Sequence, residues 1–226
     1  ARIPDPAAFG PTYNTVLAGL RGLQAQVIAT TIPNPMDTAY FSTPEVAAAI
    51  TATTPFVIQA GYKITPQDYV TRNGLMAIAN QFSDKKIGPL PAGSILPAAT
   101  AAAITARVNA LNARIVELAR ANGAVVYDLN AFFRRIRTSG ARVGATTITA
   151  DYLGGFYSMD AVYPGSTGHA LIANDLLTFL NSTYQRTFSL VDVTAVAAYD
   201  MAITAQKPKG AFHSAESLGL AETEIE

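Results

Sequence analysis

Between Pro6 and Leu23 the apolar residues Phe9, Tyr13, Val16, Leu17 and Leu20 recur at three- and four-residue steps. That period predicts an amphipathic helix with one apolar face, and Gly22 marks its exit. The period then changes. Ala25–Thr31 is a short apolar run of the kind a buried parallel strand carries. Ile32-Pro33-Asn34-Pro35 ends it, because proline cannot continue a ladder. Helix followed by strand returns further along the chain. Ile104, Val108, Leu111, Ile115 and Leu118 lie on one stripe of a helix over Pro97–Asn122, and Gly123 supplies a left-handed stop. Ala124-Val125-Val126-Tyr127-Asp128 reads as a second buried strand, and Leu129–Arg137 as a short helix. A final helix spans about Ser166 to Leu180, with Leu171, Ile172, Leu176 and Leu180 turned inward.

Between these elements the pattern weakens. Residues Asn34 to Gly93 are rich in Pro, Thr and small side chains, as expected of an insertion packed over one end of the fold. Within it Thr43-Pro44-Glu45 opens a short helix, with Thr43 as cap and Pro44 in the first helical position. A second helix is expected between Asp68 and Phe82. Thr146 to Tyr152 leads into a glycine-rich stretch, Gly154 to Pro164. From Thr183 onward the chain reads as a tail: Phe188 to Val193 docks as an extended segment, and the acidic Glu216–Glu226 end is mobile. The order helix, strand, insertion, helix, strand, helix predicts an α/β domain with parallel strands over 1–182, and a tail over 183–226.

Composition narrows the functional classes. The chain has 226 residues, which suits one domain with a tail. It is 50% hydrophobic, enough for a core, and only 14% charged, which points to surface covered by a partner. Its formal net charge is zero, which argues against nucleic acid as a partner. It has no cysteine, so disulfides and thiolate metal sites are excluded. No apolar run reaches transmembrane length. The opening Ala1-Arg2-Ile3-Pro4-Asp5-Pro6 is not a signal peptide, and reads either as a mature end or as the middle of a longer chain.

Gly154 to Asn174 carries the most specific signal. It reads G-G-F-Y-S-M-D-A-V-Y-P-G-S-T-G-H-A-L-I-A-N. It resembles the last block of bacterial SGNH/GDSL serine esterases, roughly F-S-x-D-x-x-H-P followed by a glycine, a Tyr or His, and an apolar helix. Phe9–Pro35, Ile104–Asp128 and Tyr184–Val193 resemble, in order, the family's other elements on the C-terminal side. The resemblance implies a doubly wound, flavodoxin-like parallel sheet, here lacking its N-terminal strands. It also implies export to the periplasm or beyond. Asp160 then takes the triad Asp position, Tyr163 stands where the triad His is expected, and His169 begins the last helix at a structural position. Neither the G-D-S-L block of the nucleophile nor the G-x-N-D block of the oxyanion Asn occurs in this chain.

Ester hydrolysis by that route needs a serine hydroxyl beside a base, and donors aimed at the oxyanion. A histidine exchanges protons near neutral pH; tyrosine, with an ordinary pKa of about 10, does not. His169 as a substitute base is weighed against a partly buried histidine hydrogen-bonded to its loop, and the second is favoured. Asp160 with His169 makes a poor metal site, since no third ligand is near in sequence. Tyr163 is expected to fill the vacated position and bond to Asp160 or to backbone. Asp37, Asp68, Asp128 and Asp151 read as caps or turn residues, Ser158 as an ordinary loop serine, and His213 as solvated. Arg134, Arg135 and Arg137 read as a solvated helix face, and Gly154-Gly155 as a tight turn with no phosphate-binding role. No cofactor is expected.

A sheet of this kind without its first strands leaves the edge of Val27–Thr31 open, and an open apolar edge invites pairing. Three expectations follow. The chain is a catalytically silent subunit of a larger assembly, or a fragment of an exported esterase completed by its N-terminal half, or a carbohydrate- or lipid-binding module with a cleft near Tyr157 and Tyr163.

Overall fold

The computed structural model describes residues 3–204. Helix α1 (Pro6–Gly22) starts at a cap: the Asp5 carboxylate accepts from the Ala7 amide at 2.9 Å, and Pro6 holds the first helical position. Asp5 also pairs with Arg107 at 2.7 Å, which fixes the start of α1 against a later helix. Strand β1 (Ile28–Thr30) follows. The chain then forms a 3₁₀ turn (Pro35–Asp37), β2 (Phe41–Ser42), α2 (Pro44–Ile50), α3 (Pro55–Tyr62), β3 (Tyr69–Thr71), α4 (Arg72–Ser83) and β4 (Ile95–Leu96). Next come α5 (Ala98–Ala121), β5 (Val125–Tyr127) and α6 (Leu129–Ser139). The hairpin β6 (Ala141–Val143) and β7 (Thr146–Ile148) leads through a loop to α7 (Ser166–Tyr184), α8 (Val193–Ala198) and α9 (Met201–Thr204).

β1 and β5 pair in parallel, with Ile28 opposite Val125, Ala29 opposite Val126 and Thr30 opposite Tyr127. Side chains alternate between the faces of a strand. Ala29 turns toward Leu17 of α1 and Leu118 and Ala119 of α5, and these form a small apolar cluster. Tyr127 lies on the opposite face, its ring 5.2 Å from that of Phe179 in α7 and its hydroxyl donating to Asp175 at 2.8 Å. Helices therefore cover both faces of β5, and the fold is mixed α/β with a small parallel sheet. Among the described residues β1 pairs with β5 alone, so its other edge is open.

The region expected to be a peripheral insertion is more central than that. β2, β3 and β4 form an antiparallel sheet, with Phe41 opposite Thr71 and Tyr69 opposite Leu96. Val70, Ile58, Leu75 and Ile78, all fully buried, share one cluster with Phe132, Phe133, Phe156 and Tyr157. This is the larger of the two apolar clusters. It joins α2, α3 and α4 to α6 and to the loop before α7, so the segment builds the core instead of capping it. Gly74 shows how closely these parts meet, for a β-carbon there would lie 2.4 Å from the Ser94 carbonyl oxygen.

The tail also differs from its expectation. After α7 the backbone runs extended, as predicted, and two asparagines of α7 grip it. Asn181 accepts from the Phe188 amide at 2.7 Å and donates to the Phe188 carbonyl at 3.0 Å. Asn174 does the same to Val191, at 2.7 and 2.9 Å. Beyond Asp192 the chain turns helical, and Val193, Ala197 and Ile203 pack against the larger cluster. Residues 183–204 are thus continuous with the main body. The acidic end, Glu216–Glu226, lies outside the described residues, as does His213.

Candidate functional site

The loop from Thr149 to Gly165 is built to present its tip. Gly154 sits so tightly that a β-carbon would meet Thr149 Oγ1 at 2.1 Å, and Gly155 has a positive φ of 90°. This glycine pair forms a close turn. Phe156 follows, fully buried, its ring centroid 5.6 Å from that of Phe133 and 4.9 Å from that of Tyr157. The Gly165 amide donates to the Phe156 carbonyl at 2.9 Å, and the Ser158 amide to the Tyr163 carbonyl at 2.8 Å. These two bonds close the base of an excursion that carries Asp160 at its turn. Ala161 is fully buried there in the left-handed region at φ 67°, a conformation that costs a non-glycine residue about 1–2 kcal/mol.

The Asp160 side chain holds the turn. Its Oδ1 accepts from the Val162 amide at 2.8 Å and from the Tyr163 amide at 2.9 Å. Those bonds favour the ionised form and hold the carboxyl below its ordinary value, assisted by the Ser158 hydroxyl and the nearby Arg72 guanidinium. Arg72 also donates from Nε to the Met159 carbonyl at 3.1 Å, which ties the excursion to the start of α4.

Tyr163 does not fill a site beside Asp160, as the resemblance led us to expect. Tyr163 is 69% exposed, and its backbone rather than its ring engages Asp160. His169 is exposed in the first turns of α7. Its Nδ1 lies 3.0 Å from the Gly165 carbonyl, which only accepts, so in the neutral ring the proton sits on Nδ1. The bond to the loop is the one favoured from sequence, but the ring is exposed where partial burial was expected. Among the described residues Asp160 and His169 share neither a hydrogen bond nor an ion pair. Ser158 Oγ accepts weakly from the Asp160 amide at 3.4 Å and meets no base among the described residues. Tyr157 is buried, donates to the Asp37 carbonyl at 3.0 Å, and has its phenol pushed up by burial, so it lines no open cleft with Tyr163.

The other candidates are placed as structural groups. Asp68 accepts from the Thr65 and Ala98 amides at 2.7 and 2.8 Å, and Asp128 caps α6 through the Ala131 amide at 3.0 Å. Asp151 pairs with Arg137 at 2.9 Å, and Arg135 pairs with Asp175, so the arginine cluster is largely neutralised. Burial raises the Asp37 carboxyl, against the pull of Arg137 and Arg134.

Sequence reasoning missed two polar devices. One is Asp200, which is 4% exposed. Its Oδ2 accepts from the Thr167 amide at 2.7 Å, in the first turn of α7, and its Oδ1 accepts from the Ala202 amide at 2.9 Å. It thereby caps the short helix after it and reaches back to α7. The other lies at the carboxyl ends of β1 and β5, where ligands commonly bind in parallel sheets. Thr31 donates to Asp128 at 2.8 Å and accepts from the Asn130 amide at 2.9 Å. Asn112 of α5 accepts from the Ile32 amide at 2.7 Å and donates to the Ile32 carbonyl at 2.8 Å. These bonds brace the strand ends.

Among the described residues no cluster of three or more His, Asp or Glu is placed to hold a metal ion, and no helix is long and apolar enough to cross a membrane. Comparison with family models, with curated proteins and with solved structures gives no match to this chain.

Proposed function

We propose that this chain is a catalytically silent relative of the SGNH/GDSL esterases, exported, and acting as a structural or accessory component of a larger assembly. One observation carries the reading. The one carboxylate at a triad position, Asp160, spends an oxygen on the Val162 and Tyr163 amides of its own turn, and among the described residues no imidazole lies against it. A carboxylate serves in acyl transfer by orienting an imidazole and stabilising its cation. Asp160 instead orients a loop. The sequence Phe156-Tyr157-Ser158-Met159-Asp160 through Pro164, the helix after it, and the parallel β1–β5 pair with helices on both faces support the family part of the proposal. The open β1 edge and the low charge content support the assembly part.

A second reading has an observation in its favour. The open edge is also where a segment bearing the missing serine would pair, so the chain is then the C-terminal part of an esterase completed elsewhere. Turnover of p-nitrophenyl acetate by the purified chain tests the silent reading. We expect no hydrolysis above background, from the chain itself or from Tyr163→His. Hydrolysis that disappears in Asp160→Ala would overturn the silent reading.

A further inference from the structure

We propose that the free edge of β1 and the outer apolar stripe of α1 form a slot for one extended, uncharged, apolar polypeptide strand that adds parallel to β1. This rests on the assembly reading and gives chemistry to the partner; it is tested apart from catalytic silence.

The backbone supplies the first argument. The Val125 amide donates to the Val27 carbonyl at 3.0 Å, and the Thr31 amide to the Tyr127 carbonyl at 3.2 Å. In a parallel ladder alternate residues turn both their N–H and C=O to the same neighbour. Val27, Ala29 and Thr31 therefore face β5, and the donors and acceptors of Ile28 and Thr30 face outward. Such an edge is a template for another strand.

Side chains supply the second. Leu17 turns into the small cluster shared with α5. Val16 and Leu20 instead join Ile28 and Ile32 along a groove of about 360 Å³. These four remain 53, 37, 37 and 39% exposed, which is high for a continuous apolar strip. Among the described residues none that lines the groove carries a formal charge. A charged side chain placed there would lose water and gain no partner, so the matching occupant is apolar and neutral along the contact.

Handedness sets the direction. In a parallel sheet, the helix before a strand spans the step from the neighbouring strand, with a right-handed crossover in nearly all cases. α1 precedes β1, and the neighbour on the other side is already β5. The step under α1 is thus the open one. A second copy of the chain fits less well. A two-fold axis normal to the sheet pairs the edges antiparallel and brings both α1 helices onto one face above the same seam.

The test uses the full chain, labelled with ¹⁵N, and a capped peptide Lys-Thr-Val-Ile-Val-Val-Thr-Lys. With peptide at about ten times its dissociation constant, the Ile28 and Thr30 amides should exchange with solvent about tenfold more slowly. Ala29 and Thr31, already bonded to β5, should not change. A nitroxide at the peptide's first residue should broaden Val27 more than Ile32. The same peptide with proline at its central isoleucine should have no effect. Ile28→Pro removes one outward N–H and no bond to β5, so it should abolish protection of Thr30 by the peptide while leaving the melting temperature unchanged. The proposal is overturned by no slowing at saturating peptide, by equal slowing with the proline peptide, or by stronger broadening at Ile32. Protection of both amides without peptide, in a species of twice the chain mass, would also overturn it in favour of self-pairing.

Discussion

The carboxylate of Asp200 lies 2.7 Å from the amide nitrogen of Thr167, thirty-three positions earlier in the chain. A helix begins with amides that lack partners inside it, and Asp200 supplies an acceptor and a negative charge at that end of α7. Gly165, at the cap position itself, offers no side chain to do so. The contact thus fastens the end of the described chain to the start of the helix that carries His169.

Asp200→Ala should destabilise the protein by about 1–3 kcal/mol, because it leaves the buried Thr167 amide without an acceptor. Asp200→Asn keeps an acceptor oxygen and should lose less. Urea unfolding measures both. Limited proteolysis should cut the alanine variant faster within residues 185–200, and equal cutting would show that the contact does not hold the segment.

Gly168→Ala should destabilise although the residue is helical. Alanine in a helix interior is ordinarily worth about 1 kcal/mol over glycine. Here a β-carbon would sit 2.2 Å from the Phe156 carbonyl oxygen and 2.8 Å from the Pro164 side chain. Overpacking of that kind costs about 1–3 kcal/mol, enough to reverse the sign. Thermal melts decide it; an unchanged or raised midpoint would count against the close contact.

Asn112→Leu should cost about 2 kcal/mol, since the Ile32 amide and carbonyl both lose their partners where the chain leaves β1. Asn112→Asp keeps only the acceptor and should also destabilise. The Ile32 amide resonance, followed by exchange, should lose protection in both variants.

Asp160 predicts a small acid dependence with a definite sign. Its carboxyl lies below 3.8 in the folded chain, because the Val162 and Tyr163 amides bond the ionised form. The group therefore contributes stability that is complete above the unfolded value and is lost as the pH falls through the folded one. The side chain is exposed, so the contribution stays under about 1 kcal/mol. Direct titration of the carboxyl by NMR should give a midpoint below 3.8. A midpoint above that value would break the account of the turn.

The long elements were legible in the sequence because their apolar period is sustained. Pro6–Leu23 and Pro97–Asn122 match α1 and α5 to within a residue or two, and the strands at Ala25–Thr31 and Ala124–Asp128 contain β1 and β5. The three-stranded antiparallel sheet was not legible. Its strands are two or three residues long, too short for alternation to register. The β6–β7 hairpin went unread for the same reason, and α3 and α8, at eight and six residues, are too short for a helical period to stand out. At the candidate site the sequence located Asp160, Tyr163 and His169 on one loop and helix, but it carried no information on where their side chains turn. Asp160 bonding its own turn and Tyr163 pointing to solvent are set by backbone geometry around Ala161. Asp200 was invisible because its meaning depends on a fold that returns it to α7.

Asn174 and Asn181 hold the extended segment by its peptide groups and not by its side chains. Phe188 and Leu190 leave half their surface in water. The composition of this stretch is therefore nearly free to drift, provided its main chain keeps a donor at two places. Proline at 188 or 191 should peel the strap from α7, whereas serine or lysine at either position should leave it seated.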